Sequence, residues 1–103
     1  MAYIIADNII SPLGETSEEN YLSVKAGRSG IRAYEPGTCN IPEEFYASLL
    51  FEDFETLALR SAQKAIANAQ LELKGKRTAF ILSSTKGNIE ENISLADSAQ
   101  RIA

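Results

Sequence analysis

The sequence predicts a small α/β protein in which helices cover an incomplete sheet. Two short apolar runs, residues 3–6 and 79–82, are typical of buried strands. A long amphipathic pattern over residues 50–69 predicts a helix, and capping signals predict a shorter helix before it and another after it. The predicted order is strand, helix, loop, helix, strand, helix, which has fewer strands than an independent sheet usually needs.

Composition limits the classes of function. The chain has 103 residues, enough for one small domain, and its 45% hydrophobic and 23% charged residues are typical of a globular protein. A net charge of −4 argues against binding to nucleic acid or to an anionic membrane surface. No apolar run approaches the roughly 20 residues that cross a bilayer, and no secretory signal is recognisable. We therefore expect a cytoplasmic protein.

The first strand and helix have clear boundary signals. The strand runs into the turn Ser11-Pro12-Leu13-Gly14. Thr16, with Glu19 three positions later, predicts a capping box at the start of a helix that ends near Gly27. Residues 28–41 have scattered Gly and Pro and predict a loop that holds a short strand at most.

The middle and end of the chain predict two further helices around the second strand. Pro42 fits the first position of a helix, and apolar residues recur at spacings of three and four from Leu50 to Ala69. Residues 74–77 break this helix, and residues 79–82 predict a strand covered on both faces. Asn88 predicts the start of the last helix. Its supporting residues are Ile89, Glu91, Ile93, Ala96 and Ile102.

The sequence contains no histidine, so a Ser-His-Asp triad, a Cys-His pair and a histidine-ligated metal are excluded within this chain. The single cysteine, Cys39, lies in a loop between Pro36 and Pro42. A cysteine becomes a nucleophile where a helix N-terminus or an adjacent base favours its thiolate. The neighbouring ionisable residues are acids, so the sequence favours an unreactive loop cysteine.

Residues 83–88, Ser-Ser-Thr-Lys-Gly-Asn, join a predicted strand to a predicted helix, where backbone N–H groups can bind an anion. The loop lacks the G-x-x-x-x-G-K-[ST] order of a nucleotide-binding P-loop. The sequence favours a structural turn, and a small anion-binding domain built on this loop remains an alternative.

Several charged residues form clusters. No Lys or Arg occurs from residue 33 to residue 59, a stretch rich in carboxylates. Paired acids support acid-base catalysis when burial separates their pKa values, but acids at a helix start or on a solvated helix face are the more common arrangement. Cations at the end of a helix are equally ordinary. The acids are Glu43, Glu44, Glu52, Asp53 and Glu55, and the cations are Lys74, Lys76 and Arg77.

Three local matches, the first made of two segments, resemble in this order the N-terminal part of the β-ketoacyl-acyl carrier protein synthases, the decarboxylating condensing enzymes of the thiolase fold. Residues 9–14, IISPLG, and residues 25–31, KAGRSGI, are similar to the family's "SPLG" turn and "AGKSGI" sequence. Residues 65–71, AIANAQL, resemble its "ALADAGL" helix end, with Gln70 where glycine is usual. Residues 77–87, RTAFILSSTKG, resemble its strand "RVGVIVGTGIGG", with some glycines replaced.

The resemblance implies that residues 1–103 form the first part of a thiolase-like layered fold, with no second domain. It implies a complete protein that condenses an acyl thioester with a malonyl-carrier unit in fatty acid, polyketide or polyene synthesis. The family's nucleophilic cysteine, two histidines and lysine lie further along the chain. No catalytic, cofactor-binding or metal residue is therefore assigned, and Cys39 does not match the nucleophile. No cofactor is implied beyond the carrier's phosphopantetheine arm.

The resemblance also bears on partners. It implies a dimer or contact with the remainder of a synthase chain, and an acyl carrier protein as a transient partner. Glu52, Asp53 and Glu55 lie where the family often has basic residues, and they disfavour docking of an acidic carrier at that segment. The alternative to an enzyme fragment is a non-catalytic interaction module that completes its sheet with another chain.

Overall fold

A computed structural model describes residues 1–70, 77–88 and 93–103. Within these residues the chain is a small mixed helix/strand protein with three α-helices and a two-stranded antiparallel sheet. In chain order the elements are α1 (Ser17–Lys25), β1 (Arg32–Tyr34), a 3-10 turn (Thr38–Asn40), β2 (Phe45–Ala47), α2 (Phe54–Ala69) and α3 (Leu95–Ile102).

The chain divides into two compact units. The sheet unit is Asn8–Phe51 and contains α1, β1 and β2. The helical unit combines Met1–Asp7 with Glu52–Ala103 and contains α2 and α3.

Helix α1 begins and ends where its capping signals predict. The Thr16 hydroxyl accepts a hydrogen bond from the backbone N–H of Glu19 at 3.1 Å, which is one half of the predicted capping box. The Glu19 carboxylate accepts from the N–H of Glu15 at 2.7 Å, one residue earlier than a capping box requires. Gly27 adopts a left-handed φ of +79°, a conformation that glycine reaches without strain, and it follows the end of the helix.

The sheet pairs β1 with β2 in antiparallel register, with Ala33 opposite Tyr46 and Tyr34 opposite Phe45. The rings of Tyr34 and Phe45 stack with centroids 5.3 Å apart, an arrangement that stabilises a cross-strand pair. Strand β1 is the short strand that residues 28–41 were expected to hold. Strand β2 was not predicted.

The predicted helix start at Pro42 is wrong. Residues 42–44 lead directly into β2, and α2 begins only at Phe54. A proline followed by acids fits the first turn of a helix, but a single turn is costly to nucleate. Pairing of β2 with β1 provides hydrogen bonds and an aromatic contact that a short helix there would lack.

The predicted helix start at Asn88 is also wrong. Asn88 forms an isolated antiparallel bridge with Ile93, and α3 begins at Leu95. Ser94 caps α3 by accepting a hydrogen bond from the N–H of Asp97 at 3.2 Å. Parts of the predicted pattern lie outside the described residues, namely Leu71, Lys74, Gly75, Lys76, Ile89 and Glu91.

Neither strand predicted at residues 3–6 and 79–82 forms. Both segments lack regular secondary structure and are largely exposed to solvent, with Ile4 90% and Ile81 86% accessible. A strand suited to burial needs neighbouring strands for its backbone groups and cover over both faces. The described residues of the helical unit include no strand to pair with them. The sheet expected to contain these two strands is therefore absent from the described part of the chain.

Most side chains that are buried in the described residues are polar. Ile102 is the one apolar side chain among them. Polar groups leave water at little cost only when they find hydrogen-bond partners, so these residues indicate where the chain is held together. The buried polar residues are Asn20, Ser23, Asn88 and Ser98.

Candidate functional site

A group of hydrogen-bonded side chains lies at the N-terminal end of α2 in the helical unit. The N-cap and first turn of α2 supply two acids there, and the residues before and within α3 supply their partners. We call this group the α2 cluster. Its members are Asp53, Glu55, Asn88, Ser98 and Arg101.

Asp53 has two partners in this cluster region. Its side chain caps α2 by accepting a hydrogen bond from the N–H of Thr56 at 3.2 Å. Its other carboxylate oxygen accepts from the side-chain amide of Asn88, also at 3.2 Å. Asn88 is buried, so this contact satisfies a donor that would otherwise be costly to remove from water.

Glu55 joins α2 to α3. One of its carboxylate oxygens accepts a hydrogen bond from the Ser98 hydroxyl at 2.9 Å, and the other accepts from the Arg101 guanidinium at 3.1 Å. Ser98 is completely buried, whereas Arg101 is largely exposed. The buried hydroxyl is therefore the part of the contact that depends most on Glu55.

The ionisation of Glu55 follows from these contacts. Desolvation by itself would raise the pKa of the Glu55 carboxyl. Hydrogen bonds from Ser98, Arg101 and Asn88, together with the positive charge of Arg101, outweigh it and lower the pKa below the ordinary value of 4.5. Glu55 is therefore an ionised hydrogen-bond acceptor at neutral pH.

The α2 cluster is suited to holding two helices together rather than to catalysis. A general acid at neutral pH needs a raised pKa, and the pKa of Glu55 moves in the opposite direction. Asp53 is occupied as a helix cap. The predicted placement of acids at a helix start is confirmed for Asp53, the N-cap of α2, and for Glu55, in its first turn.

The other predicted acids are placed separately. Glu52 forms a bidentate ion pair with Arg60, with both N to O distances at 2.8 Å. Glu43 and Glu44 are exposed before β2, in the sheet unit. Arg77 is exposed in the helical unit. Glu43 and Glu44 therefore belong to a different unit from Glu52, Asp53 and Glu55.

Cys39 lies in the 3-10 turn Thr38–Asn40 of the sheet unit and is exposed. Its φ is +52° and that of Asn40 is +61°, so both residues occupy the left-handed region. In chain order the turn sits between β1 and β2, so Cys39 is not at the N-terminus of an α-helix. This position agrees with a loop cysteine.

Side chains of the loop of residues 83–88 form hydrogen bonds. The backbone N–H of Gly87 donates to the Ser84 hydroxyl at 2.8 Å, and the side-chain amide of Asn88 donates to Asp53 at 3.2 Å. The Gly87 N–H occupied in this way is not available to an anion. The Ser84 contact closes a turn within the loop.

A second polar group, in the sheet unit, was not predicted. The buried Asn20 amide donates to the carbonyls of Ile9 and Gly14 at 3.0 and 3.2 Å, and its carbonyl oxygen accepts from the Ser11 hydroxyl. Ser23, one turn further along α1, donates to the carbonyl of Leu13 at 2.9 Å. We call Asn20 and Ser23 the α1 anchor, because they fix the turn before the helix.

No three His, Cys, Asp or Glu side chains in residues 1–70, 77–88 and 93–103 converge on a position that could hold a metal ion. No helix in this part of the chain is long and apolar enough to span a bilayer. A shallow open depression in the helical unit is lined by Ile93, Asp97, Gln100 and Arg101.

By its fold the chain belongs to the broad class of small mixed helix/strand proteins. No protein-family model, no curated protein and no solved structure matches it.

Proposed function

We propose that the chain is the N-terminal part of a β-ketoacyl-acyl carrier protein synthase-like condensing enzyme, and that its role there is to supply scaffold for a thiolase-like sheet. In this proposal residues 3–6 and 79–82 become strands when further polypeptide pairs with them. The chain itself supplies no residue that forms or breaks a bond in the condensation.

One observation carries this proposal. Residues 3–6 and 79–82 have the composition of buried strands, yet they are largely exposed and not in strands. Monomeric proteins seldom expose such apolar segments without an interaction that covers them. The same two segments are those in which the resemblance to the condensing enzymes places strands, so one explanation accounts for both features.

The chemistry of the proposed whole protein would use residues outside this chain. An acyl group is carried on a cysteine as a thioester, loss of CO₂ from the malonyl unit supplies the carbon nucleophile, and a new carbon–carbon bond releases the cysteine thiolate. Cys39 is not placed in this role, because it lies in an exposed loop and differs in position from the family's nucleophile.

A second candidate is a non-catalytic interaction module that completes its sheet with another chain. The same exposed segments support it, since an unpaired strand can be completed by any suitable edge. The two candidates differ in whether the strands come from the same polypeptide and in whether the assembled protein turns over a malonyl thioester.

The first experiment measures the intact mass of the natural gene product and assays it for CO₂ release from a malonyl-carrier thioester. The condensing-enzyme proposal predicts a polypeptide several times larger than 11.2 kDa that decarboxylates the thioester, while the 103-residue chain alone shows no turnover. A product of 11.2 kDa, or turnover by the isolated chain, would contradict it.

The control is Cys39→Ser in the natural gene product. We expect this variant to retain full activity, because Cys39 is not assigned to the chemistry. Loss of acyl-enzyme formation in Cys39→Ser, with the fold retained by circular dichroism, would show instead that the nucleophile is in this chain.

A further inference from the structure

Helix α1 has its polar side turned inward and its apolar side turned to solvent. Asn20 and Ser23 are buried and bond to the preceding turn. Tyr21 is 63% exposed and Leu22 is 52% exposed. A surface helix usually buries its apolar residues, so this arrangement leaves a face of α1 without a partner in the sheet unit.

The exposed face of α1 has charged residues placed symmetrically on either side of its apolar residues. Glu18, Tyr21, Leu22 and Lys25 are separated by three and four positions, so they share the side of α1 opposite the α1 anchor. All four are exposed, and we call them the α1 outer face. Glu18 and Lys25 lie equally far from the point midway between Tyr21 and Leu22. The face therefore has an acid at one end, a base at the other and two apolar residues between them.

This order is complementary to itself in the antiparallel sense. If two copies of α1 lie side by side and run in opposite directions, Glu18 of one faces Lys25 of the other. Tyr21 then faces Leu22, and the symmetry repeats both contacts. Lys25 already lies over the Tyr21 ring, with its ammonium 5.9 Å from the ring centroid, so its aliphatic stem widens the apolar strip.

We infer that the α1 outer face is a self-association surface that binds a second copy of this chain in antiparallel orientation. Charge complementarity favours a second copy as the partner. The apolar pair alone would accept many partners, whereas the acid at one end and the base at the other pair with the same two charges of an antiparallel copy. The inference goes beyond the proposed role in condensation and does not depend on it.

The association is weak. Four side chains on one short helix per partner cover less than the roughly 1,200 Å² at which stable interfaces begin, so we expect a dissociation constant on the order of 100 µM. Two symmetric charge pairs contribute to the orientation more than to the affinity.

Charge exchange between the two ends of the helix tests this inference by sedimentation velocity. In Glu18→Lys the outer face carries two bases, and in Lys25→Glu it carries two acids. Each variant alone should have a dissociation constant at least about tenfold higher than that of the unaltered chain. A 1:1 mixture should form a heterodimer at least as tight as the original dimer, because every facing pair is then opposite in charge.

Matched controls separate this from an effect of net charge. Glu43→Lys and Lys86→Glu make the same changes at exposed positions outside α1, and neither variant should alter self-association. Circular dichroism of all four variants reports whether the helices are retained. The replacement of both Tyr21 and Leu22 by Ala should abolish association in every combination.

Three results would overturn the inference: a chain that is monomeric up to about 1 mM, a mixture that associates no better than its components, or controls that weaken association as much as the α1 variants do. None of these results bears on the size or activity of the natural gene product. An inactive gene product, in turn, leaves the α1 pairing unaffected.

Discussion

The sheet unit and the helical unit are held by different kinds of hydrogen bond. In the sheet unit the α1 anchor binds backbone carbonyls that lie 4 to 11 residues away in sequence. In the helical unit the α2 cluster joins side chains separated by 35 to 46 residues. Anchoring over a short sequence distance closes a small loop at little entropic cost, whereas the α2 cluster depends on contacts made after a long segment is ordered.

The largest effect is expected from Asn20→Leu in the α1 anchor. The change removes the amide donor to Ile9 and Gly14 and leaves buried groups without a partner, which we expect to lower the free energy of unfolding by about 2–3 kcal/mol. Denaturant titration measures it. Asn68→Leu, the same change on an exposed position of α2, is the control and should alter stability by less than about 0.5 kcal/mol. Equal losses of stability in both variants would contradict the stabilising role of Asn20.

A smaller effect is expected from Ser98→Ala in the α2 cluster. The buried hydroxyl that donates to Glu55 is lost, with little change in side-chain volume, so the expected loss is about 1 kcal/mol. Ser83→Ala, at an exposed position of the same unit, should be nearly neutral. If the Ser98 change costs more than the Asn20 change, the longer-range contacts contribute more to stability than the local ones, against our expectation.

Gln70→Gly should stabilise the end of α2. Gln70 has a φ of +55°, a left-handed conformation that glycine adopts without a steric penalty. We expect a gain of about 0.5–1 kcal/mol in thermal or denaturant unfolding. Gln63→Gly, in the interior of the same helix, is the matched control and should lower stability by about 1 kcal/mol. A loss in both variants would mean that the left-handed residue is not a source of strain.

The α2 cluster should also make the free energy of unfolding depend on pH in the acidic range. Near neutral pH Glu55 stays ionised, so its contribution does not change there. The pKa of Glu55 is lowered in the folded chain, so its contribution is present above the ordinary value of 4.5 and is lost as the pH falls through the folded pKa. Stability measured from pH 7 downward should therefore decline more steeply in the unaltered chain than in Glu55→Gln. Parallel curves for the two proteins would contradict the contacts assigned to Glu55.

The sequence predicted the features that depend on neighbouring residues. The Thr16 cap, the end of α1 near Gly27, the turn at residues 11–14 and the amphipathic α2 all follow from patterns shorter than a few helical turns. The hydrogen bonds of the α1 anchor also join residues close in sequence. The sequence did not reveal them, because an Asn and a Ser within a helix are not a recognisable motif. The anchor's polar spacing of three residues becomes informative only once the neighbouring apolar residues are seen to be exposed.

Features that depend on distant residues were not predictable in this way. The pairing of β2 with β1 decided the conformation after Pro42, and the partners of Glu55 lie in a helix whose start was misplaced by several residues. Residues 3–6 and 79–82 have a local pattern suited to strands, but a strand forms only when other strands are available to pair with it. The candidate site was recognised as a set of acids, and the role of Ser98 and Arg101 was not.

The most direct test of the proposed role is amide hydrogen exchange at residues 3–6 and 79–82, compared between the 103-residue chain and the natural gene product. We predict rapid exchange in the isolated chain and slow exchange in the natural product, where other strands pair with these segments. Amides in the interior of α2 serve as the reference and should be protected in both. Rapid exchange of both segments in the natural gene product would contradict the proposal that they are strands of a larger sheet.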